Sequence, residues 1–281
     1  MKVYTFGEPD NQALLLLPGK YSHYRNTFGH VIPALSKNYY VHAVSYDGMD
    51  DTEDEKFTSL KKEIEKIEAY ITEQFGGNLY AAYGSAFGGM IVTQLVQRKK
   101  VHITHAILGS SDLSQASKQE SQWNSVFVGP IVQGILKRGD VKSYQKKILI
   151  KLYGEEYTDA FLKTMGVGGE VNEAFVSIDT IHAMGKAQHA MKMRESADVA
   201  GTTVHIFYAA KMSEEKKNLY EKYFVYPDVR EHEGYQKEEM LYLHPEEWLE
   251  EIDDCLKTDI DKVKADDEFA EIKPAVEAEE S

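Results

Sequence analysis

Apolar and polar positions along this chain follow two periods that alternate with each other. Residues 60–71 carry apolar side chains three and four positions apart, which predicts one face of a helix that Thr58 or Ser59 can cap and Gly76 can end. Short continuous apolar runs instead predict strands, at residues 3–6, 13–17, 39–46, 79–83, 103–108, 203–209 and 229–232. Further helices are expected at 30–36, 89–99, 219–224 and 245–256. Strands alternating with helices indicate an α/β protein with a doubly wound, mostly parallel sheet.

The pattern changes between residues 113 and 199, which are expected to form helices separated by glycine-containing loops. We interpret this block as a helical cap, inserted after the sixth strand, over the carboxyl ends of the strands, where ligands bind in such sheets. The predicted core then comprises residues 1–112 and 200–256, and the cap comprises residues 113–199. Residues 257–281 form an acidic tail that is expected to be disordered.

Composition and charge restrict the possible partners. The 281 residues, 42% of them hydrophobic, suit one large α/β domain with a sizeable core. The net charge of −14 argues against a nucleic-acid partner. Cys255 is the single cysteine, which excludes an internal disulfide and fits a reducing compartment. No apolar run reaches membrane length and no leader pattern is visible, so we expect a cytoplasmic protein without a membrane partner.

Residues 79–97 form the stretch around which the chain is organised. An apolar run meets a glycine-rich corner and then an amphipathic segment, which predicts strand, tight turn and helix. Gly84 and Gly88 lie two positions before and two after Ala86, which is the spacing of a nucleophile elbow. The spacing has a steric cause, because side chains at those two positions would collide where the helix packs back across the strand. The tip residue is alanine, so the elbow lacks a nucleophilic atom.

Six motifs in this order resemble the α/β-hydrolase family, in particular its serine esterases and lipases. They are LLLLPG at 14–19, VSYDG at 44–48, YGSAFGG at 83–89, HAILGSSD at 105–112, VHIFYAAKMSEE at 204–215 and GYQKEEMLYLHPEEW at 234–248. Each motif is weak alone, but their order and spacing together are specific, and the resemblance extends to about residue 256. It implies ester or acyl hydrolysis as the family activity.

The resemblance also assigns the positions of the catalytic triad. It places the nucleophile at Ala86 and the general base at Lys237, where the family has histidine. The acid is expected at Glu214, although this residue could equally be an ordinary glutamate of a first helical turn. Asp112 is a second possible acid, or the cap of the following helix. An intact Ser-His-acid triad is therefore not expected in this chain.

Other groups near the predicted site have simpler interpretations. Ser85 is expected to be a packed hydroxyl beside the elbow, and Lys237 a solvated lysine on an acidic loop. His232 and His244 could approach the site but are more simply structural or surface residues. The ten histidines show no spacing typical of a metal site, and neither a metal nor a cofactor is expected.

The oxyanion-binding half of the site consists of backbone groups, which substitutions do not remove. The resemblance places these donors at the amides of Lys20 and Phe87, and His23 is expected to line the entrance of the cleft with neighbouring aromatic residues. Three functions remain open. The chain is a catalytically silent protein that binds a small molecule or a partner in the cleft, an active hydrolase of small esters or amides using atypical groups such as Ser85 with His232, or an inactivated variant of an esterase.

Overall fold

The computed structural model describes residues 1–50, 55–114, 117–123, 129–139, 141–168 and 177–257. These residues form a seven-stranded sheet with the strand order β1-β3-β2-β4-β5-β6-β7. The strands are β1 (Lys2–Phe6), β2 (Gln12–Leu17), β3 (Tyr39–Ser45), β4 (Asn78–Ser85), β5 (His102–Gly109), β6 (Thr203–Ala209) and β7 (Asp228–His232). Only β1 runs antiparallel to its neighbour, and the other pairs are parallel. The predicted doubly wound, mostly parallel sheet is confirmed.

Helices cover both faces of this sheet. The described helices are α1 (Tyr24–Phe28), α2 (Ile32–Leu35), α3 (Leu60–Phe75), α4 (Phe87–Arg98), α5 (Lys118–Trp123), α6 (Gly129–Arg138), α7 (Ser143–Tyr153), α8 (Glu155–Thr164), α9 (Ile178–Ala190), α10 (Glu214–Tyr223), α11 (Glu239–Leu243) and α12 (Pro245–Lys257). None of the helices in the described ranges is long and apolar enough to cross a membrane.

The β2 strand shows how the two-sided core forms. Leu15 and Leu17 pack into the core beneath α3 and α4, whereas Leu14 and Leu16 pack on the opposite face with α1, α2 and α12. All four side chains are fully buried because successive residues of a strand point to opposite faces. A continuous apolar run is therefore the pattern of a strand covered on both sides.

The described residues between β5 and β6 form five helices, α5 to α9, which are called the inserted helices below. They coincide with the helical block predicted for residues 113–199. The predicted insertion point after a sixth strand is one strand too late, because five described strands precede the block. The predicted acidic tail falls, beyond Lys257, outside the described residues.

Candidate functional site

A cavity of about 610 Å³ opens above the carboxyl ends of β2, β4 and β5. This size falls in the range of small-molecule binding sites. The segments that follow the strands contribute Gly19, Lys20, Tyr21, Ala86, Phe87 and Asp112 to its wall. The inserted helices contribute mainly apolar side chains, among them Val132, Ile135, Leu149, Phe161, Leu162 and Met165. The loop before α11 adds Lys237, and α11 itself adds Tyr242.

The junction of β4 and α4 has the geometry of a nucleophile elbow. Ala86 at its tip has φ 45° and ψ −98°, a conformation that L-residues rarely adopt. A Cβ atom placed on Gly84 would lie 2.2 Å from the Gly88 carbonyl carbon, and one placed on Gly88 would lie 2.1 Å from the Leu17 carbonyl oxygen. The small residues predicted on each side of the tip are therefore required by backbone contacts. The methyl group of Ala86 occupies the tip on the cavity wall.

Glu238 lies beneath the elbow, and the sequence analysis did not identify it. Its two carboxylate oxygens accept hydrogen bonds from the Ala86 amide and the Tyr83 hydroxyl, both at 2.8 Å. The residue is 5% exposed and has a left-handed backbone with φ 57°. Burial raises the pKa of this carboxyl to about 7. The sequence shows only that a glutamate follows Lys237 in this loop. That pattern does not reveal the contact between Glu238 and Ala86, which lie 152 positions apart in the chain.

Two ammonium groups line the cavity beside a single carboxylate. The Lys237 ammonium lies 3.7 Å from the Asp112 carboxylate, which also pairs with Lys216 of α10. Burial alone would raise the pKa of Asp112, but hydrogen bonds from Lys216 and Ser114 lower it to about 2. The Lys20 ammonium lies 5.6 Å from the centroid of the Phe87 ring. This corner therefore combines charged groups with an otherwise apolar wall.

Both cavity lysines have lowered pKa values. Burial, reinforced by the charge of Lys237, lowers the pKa of Lys20 to about 8, although Asp112 opposes the shift. Burial also lowers the pKa of Lys237. Lys237 was expected to be a solvated lysine; in the structure its side chain is 38% exposed and also lines the cavity. Its loop is held against the inserted helices by a hydrogen bond of 2.8 Å from the Tyr157 hydroxyl to the Lys237 carbonyl.

The expected acid, Glu214, does not reach the cavity. It is exposed and begins α10, where a glutamate interacts favourably with the helix dipole. The carboxylate at the cavity is Asp112, which follows β5 and was the second candidate.

His23, which was expected to line the entrance of the cleft, lies elsewhere. It caps the start of α1 by accepting a hydrogen bond from the Arg25 amide at 3.2 Å, and its ring lies 3.6 Å from the Asp50 carboxylate. These contacts hold the ring 4% exposed and away from the cavity wall. Tyr21, two positions earlier, does line the cavity.

The remaining candidate groups lie outside the cavity. Ser85 is fully buried and does not line the cavity. His232 packs edge-on against Phe207, and His244 lies beside Glu247. Ser85 and His232 therefore do not come together at the cavity, as an atypical pair of catalytic groups would require.

Lys20 and Phe87, at which the oxyanion-binding amides are expected, are both residues of the cavity wall. Lys20 follows β2, Phe87 begins α4, and both residues line the cavity. Neither amide donates a hydrogen bond within the described part of the chain. The first amides of a helix lack intrahelical acceptors, so the Phe87 amide is available to an anion.

One cluster elsewhere has metal-ligand chemistry. Donor atoms of His205, Asp228 and Cys255 lie within 4.8 Å of one another, on β6, β7 and α12. The Asp228 carboxylate already accepts hydrogen bonds from His205 at 2.7 Å and from Arg230 at 2.8 Å. Because the Arg230 guanidinium supplies the positive charge there, the cluster is explained without a metal.

No protein-family model matches this chain. The curated proteins contain no match either. Solved structures do resemble it. A protein from Desulfitobacterium hafniense assigned to the α/β-hydrolase family superposes with a TM-score of 0.72 at 16% identity, over 91% of this chain and 100% of that one. MenH from S. aureus gives a TM-score of 0.61 at 13% identity, over 91% and 97% of the two chains.

The enol-lactonase from Burkholderia xenovorans LB400 gives a TM-score of 0.64 at 10% identity, over 92% of this chain and 96% of that one. Identities this low show a common fold rather than a common activity. The sequence motifs, the strand order and the elbow geometry point to the same fold. This protein has the α/β-hydrolase fold.

Proposed function

We propose that this protein binds a small molecule in the cavity and does not hydrolyse it. The observation that carries the proposal is the methyl group of Ala86 at the tip of the elbow. Acyl transfer on this fold needs an oxygen or sulfur nucleophile at that point and a base to take its proton. No histidine lines the cavity within the described ranges.

The other hydroxyl groups are poor substitutes for a nucleophile. Ser22 lines the cavity, but its hydroxyl lies 2.6 Å from both the Thr164 carbonyl and the Thr27 hydroxyl. The Ser85 hydroxyl is buried outside the wall. Lys237 occupies the position of the base, and its ammonium group cannot accept a proton until it has lost one. These contacts favour binding over hydrolysis by atypical groups.

The inserted helices act as a cap in this proposal. Helices α6 to α8 supply most of the apolar wall, while the strand ends supply the charged groups. A ligand would lie between the two layers, which is where ligands bind in doubly wound sheets. The occupant is therefore a small molecule, and no nucleic acid, membrane or cofactor is proposed.

Two assays on the purified chain test the proposal. Nile red, a neutral apolar fluorophore, should bind with one site per chain, and p-nitrophenyl esters should remain intact. Ile135→Trp places a larger side chain in the cavity wall and should abolish the fluorescence signal. Val225→Trp, at a position 37% exposed and outside that wall, is the matched control and should bind normally. Binding that survives Ile135→Trp would contradict the cavity as the site.

Ala86→Ser distinguishes a silent protein from an inactivated esterase. The new hydroxyl would have Lys237 rather than an imidazole beside it, so we expect less than about a tenfold gain in ester hydrolysis, against the 10²–10⁴-fold that a well-placed base contributes. Turnover that rises a thousandfold or more on the same esters would instead show that only the serine was missing.

A further inference from the structure

The cavity wall is sharply divided between charge and apolar surface. Lys20, Lys237 and Asp112 lie together near Ala86, at the ends of the strands. The opposite wall, from α6 to α8, is made mainly of aliphatic and aromatic side chains. A ligand that satisfies both parts must have a polar head and an apolar body.

The side chains where the strand ends meet the cavity carry more positive than negative charge. Lys216 and Lys237 pair with the carboxylate of Asp112, and Lys20 is close enough to feel its charge without forming an ion pair. Lys20 makes no ion pair or hydrogen bond within the described residues; it is half-buried, and its ammonium lies 5.8 Å from the centroid of the Tyr21 ring and 5.6 Å from that of the Phe87 ring. An unpaired charge in an apolar wall is costly, so the cavity wall around Lys20 favours the binding of an anion.

The backbone beside these lysines also favours an anion. The Lys20 and Phe87 amides carry no hydrogen-bond acceptor within the described chain. Phe87 opens the twelve-residue helix α4, whose positive dipole end faces the same corner. Two side-chain ammonium groups and two free amides thus belong to residues that line the same cavity as the Ala86 methyl group.

The balance of charge favours a head with one negative charge. Glu238 lies directly behind the elbow, and Asp112 lines the cavity. Two carboxyl groups are therefore already present at this end of the cavity. The whole chain carries −14, so a second negative charge on the ligand would meet repulsion from both sources. A carboxylate fits these conditions better than a phosphate dianion.

We propose that the cavity takes an amphipathic monocarboxylate, with its head at Lys20 and Lys237 and its apolar tail among the inserted helices. This inference rests on the proposed function, since a bound carboxylate requires a cavity that receives small molecules. The Ala86 methyl group leaves room over the elbow for the head, where a nucleophile would otherwise lie. No covalent step is involved, and binding is reversible.

Isothermal titration with four amphiphiles of the same tail tests the charge of the head. The probes are octanoate, octanol, octylammonium and octyl phosphate, each below its micelle concentration. We expect octanoate to bind with one site per chain and at least about tenfold more tightly than the others, because only its head pairs with the lysines without adding a second charge. Octanol binding as tightly as octanoate, or octyl phosphate binding more tightly, would overturn the proposal.

Matched variants test the residues. Lys20→Met and Lys237→Met keep most of the apolar part of the side chain and remove its charge, and each should reduce octanoate affinity about tenfold while leaving octanol unchanged. Lys61→Met removes a charge from α3, at a position 75% exposed, and should change neither. A preference for octanoate that survives both cavity variants would refute the assigned head position.

A measurement on the unmodified chain avoids any folding defect of the variants. The carboxyl carbon of ¹³C-labelled octanoate reports its own titration by NMR. Binding beside two ammonium groups should lower the pKa of the ligand carboxyl, and a pKa that is unchanged or raised on binding would contradict the proposal. Equal binding of all four amphiphiles would remove the ligand class but keep the proposed function. Binding of none, together with no Nile red signal, would remove both.

Discussion

At the scale of the residue, Ala86 is held in a strained backbone conformation although its side chain is only a methyl group. Such strain costs about 1–3 kcal/mol and usually aims a reactive side chain. Here the same bend orients two backbone amides. It turns the Ala86 amide onto the Glu238 carboxylate and places the Phe87 amide at the cavity. The elbow therefore keeps its backbone geometry with alanine at its tip.

Ala86→Gly should stabilise the protein. Glycine adopts a positive φ without a clash, and this gain exceeds the entropy that glycine loses on folding, so we expect the free energy of unfolding to rise by about 1 kcal/mol. Chemical denaturation measures the change. Ala82→Gly, in the preceding strand, is the control and should destabilise. If both variants destabilise equally, Ala86 is not strained.

Glu238 should make stability depend on pH. Its pKa is raised to about 7 in the folded state, against about 4.5 when unfolded. The folded state therefore holds a proton that the unfolded state releases between these values, so the free energy of unfolding falls as pH rises through this range. Glu238→Gln removes that titration and should gain about 3 kcal/mol relative to the native chain between pH 4.5 and pH 8.

Denaturation at pH 5, 6, 7 and 8 checks the effect of Glu238→Gln. The exposed Glu214→Gln variant, which removes the same charge from the surface, is the control. A pH profile of Glu238→Gln that is parallel to the native one would show that Glu238 titrates as an ordinary glutamate.

At the scale of the element, the strand–turn–helix unit depends on close backbone contact rather than on side-chain packing. The Gly88 backbone lies directly against the Leu17 carbonyl of β2, and the Gly84 backbone lies against Gly88. This contact joins α4 to β2 and β4 and fixes the position of the Phe87 amide over the cavity. The sequence spacing correctly identified the two glycines, because the bend of the elbow is a local steric requirement, but it did not identify Leu17 as the neighbour of Gly88.

Gly88→Ala should therefore be strongly destabilising. The added methyl group would overlap a backbone oxygen that cannot move alone, and we expect a loss of about 3 kcal/mol in unfolding free energy. In Gly19→Ala the nearest atom would be the Ser85 hydroxyl at 4.0 Å, so its effect should stay within about 1 kcal/mol. Comparable losses in the two variants would contradict the steric account of the elbow.

At the scale of the whole molecule, the fold was accessible from the sequence and the site only in part. Helix α3 begins after Ser59 and ends at Gly76 as expected, and β6 spans the predicted residues 203–209, because caps and apolar runs are local signals. The Glu238 contact was missed because it joins residues far apart in the chain. The sequence favours Glu214 over Asp112 as the acid, but both residues follow strands. Only the packing of α10 in the structure shows that Asp112 lies at the cavity and Glu214 does not.

The fate of a bound ester tests the central claim most directly. The ester p-nitrophenyl octanoate is incubated with an excess of the purified chain. The remaining ester, the released p-nitrophenol and the mass of the intact protein are then measured together. We predict that the ester is recovered intact and that the protein mass is unchanged. An octanoyl adduct on any hydroxyl or amine lining the cavity, or release of the phenol that stops in Ile135→Trp, would contradict a cavity that binds without hydrolysis.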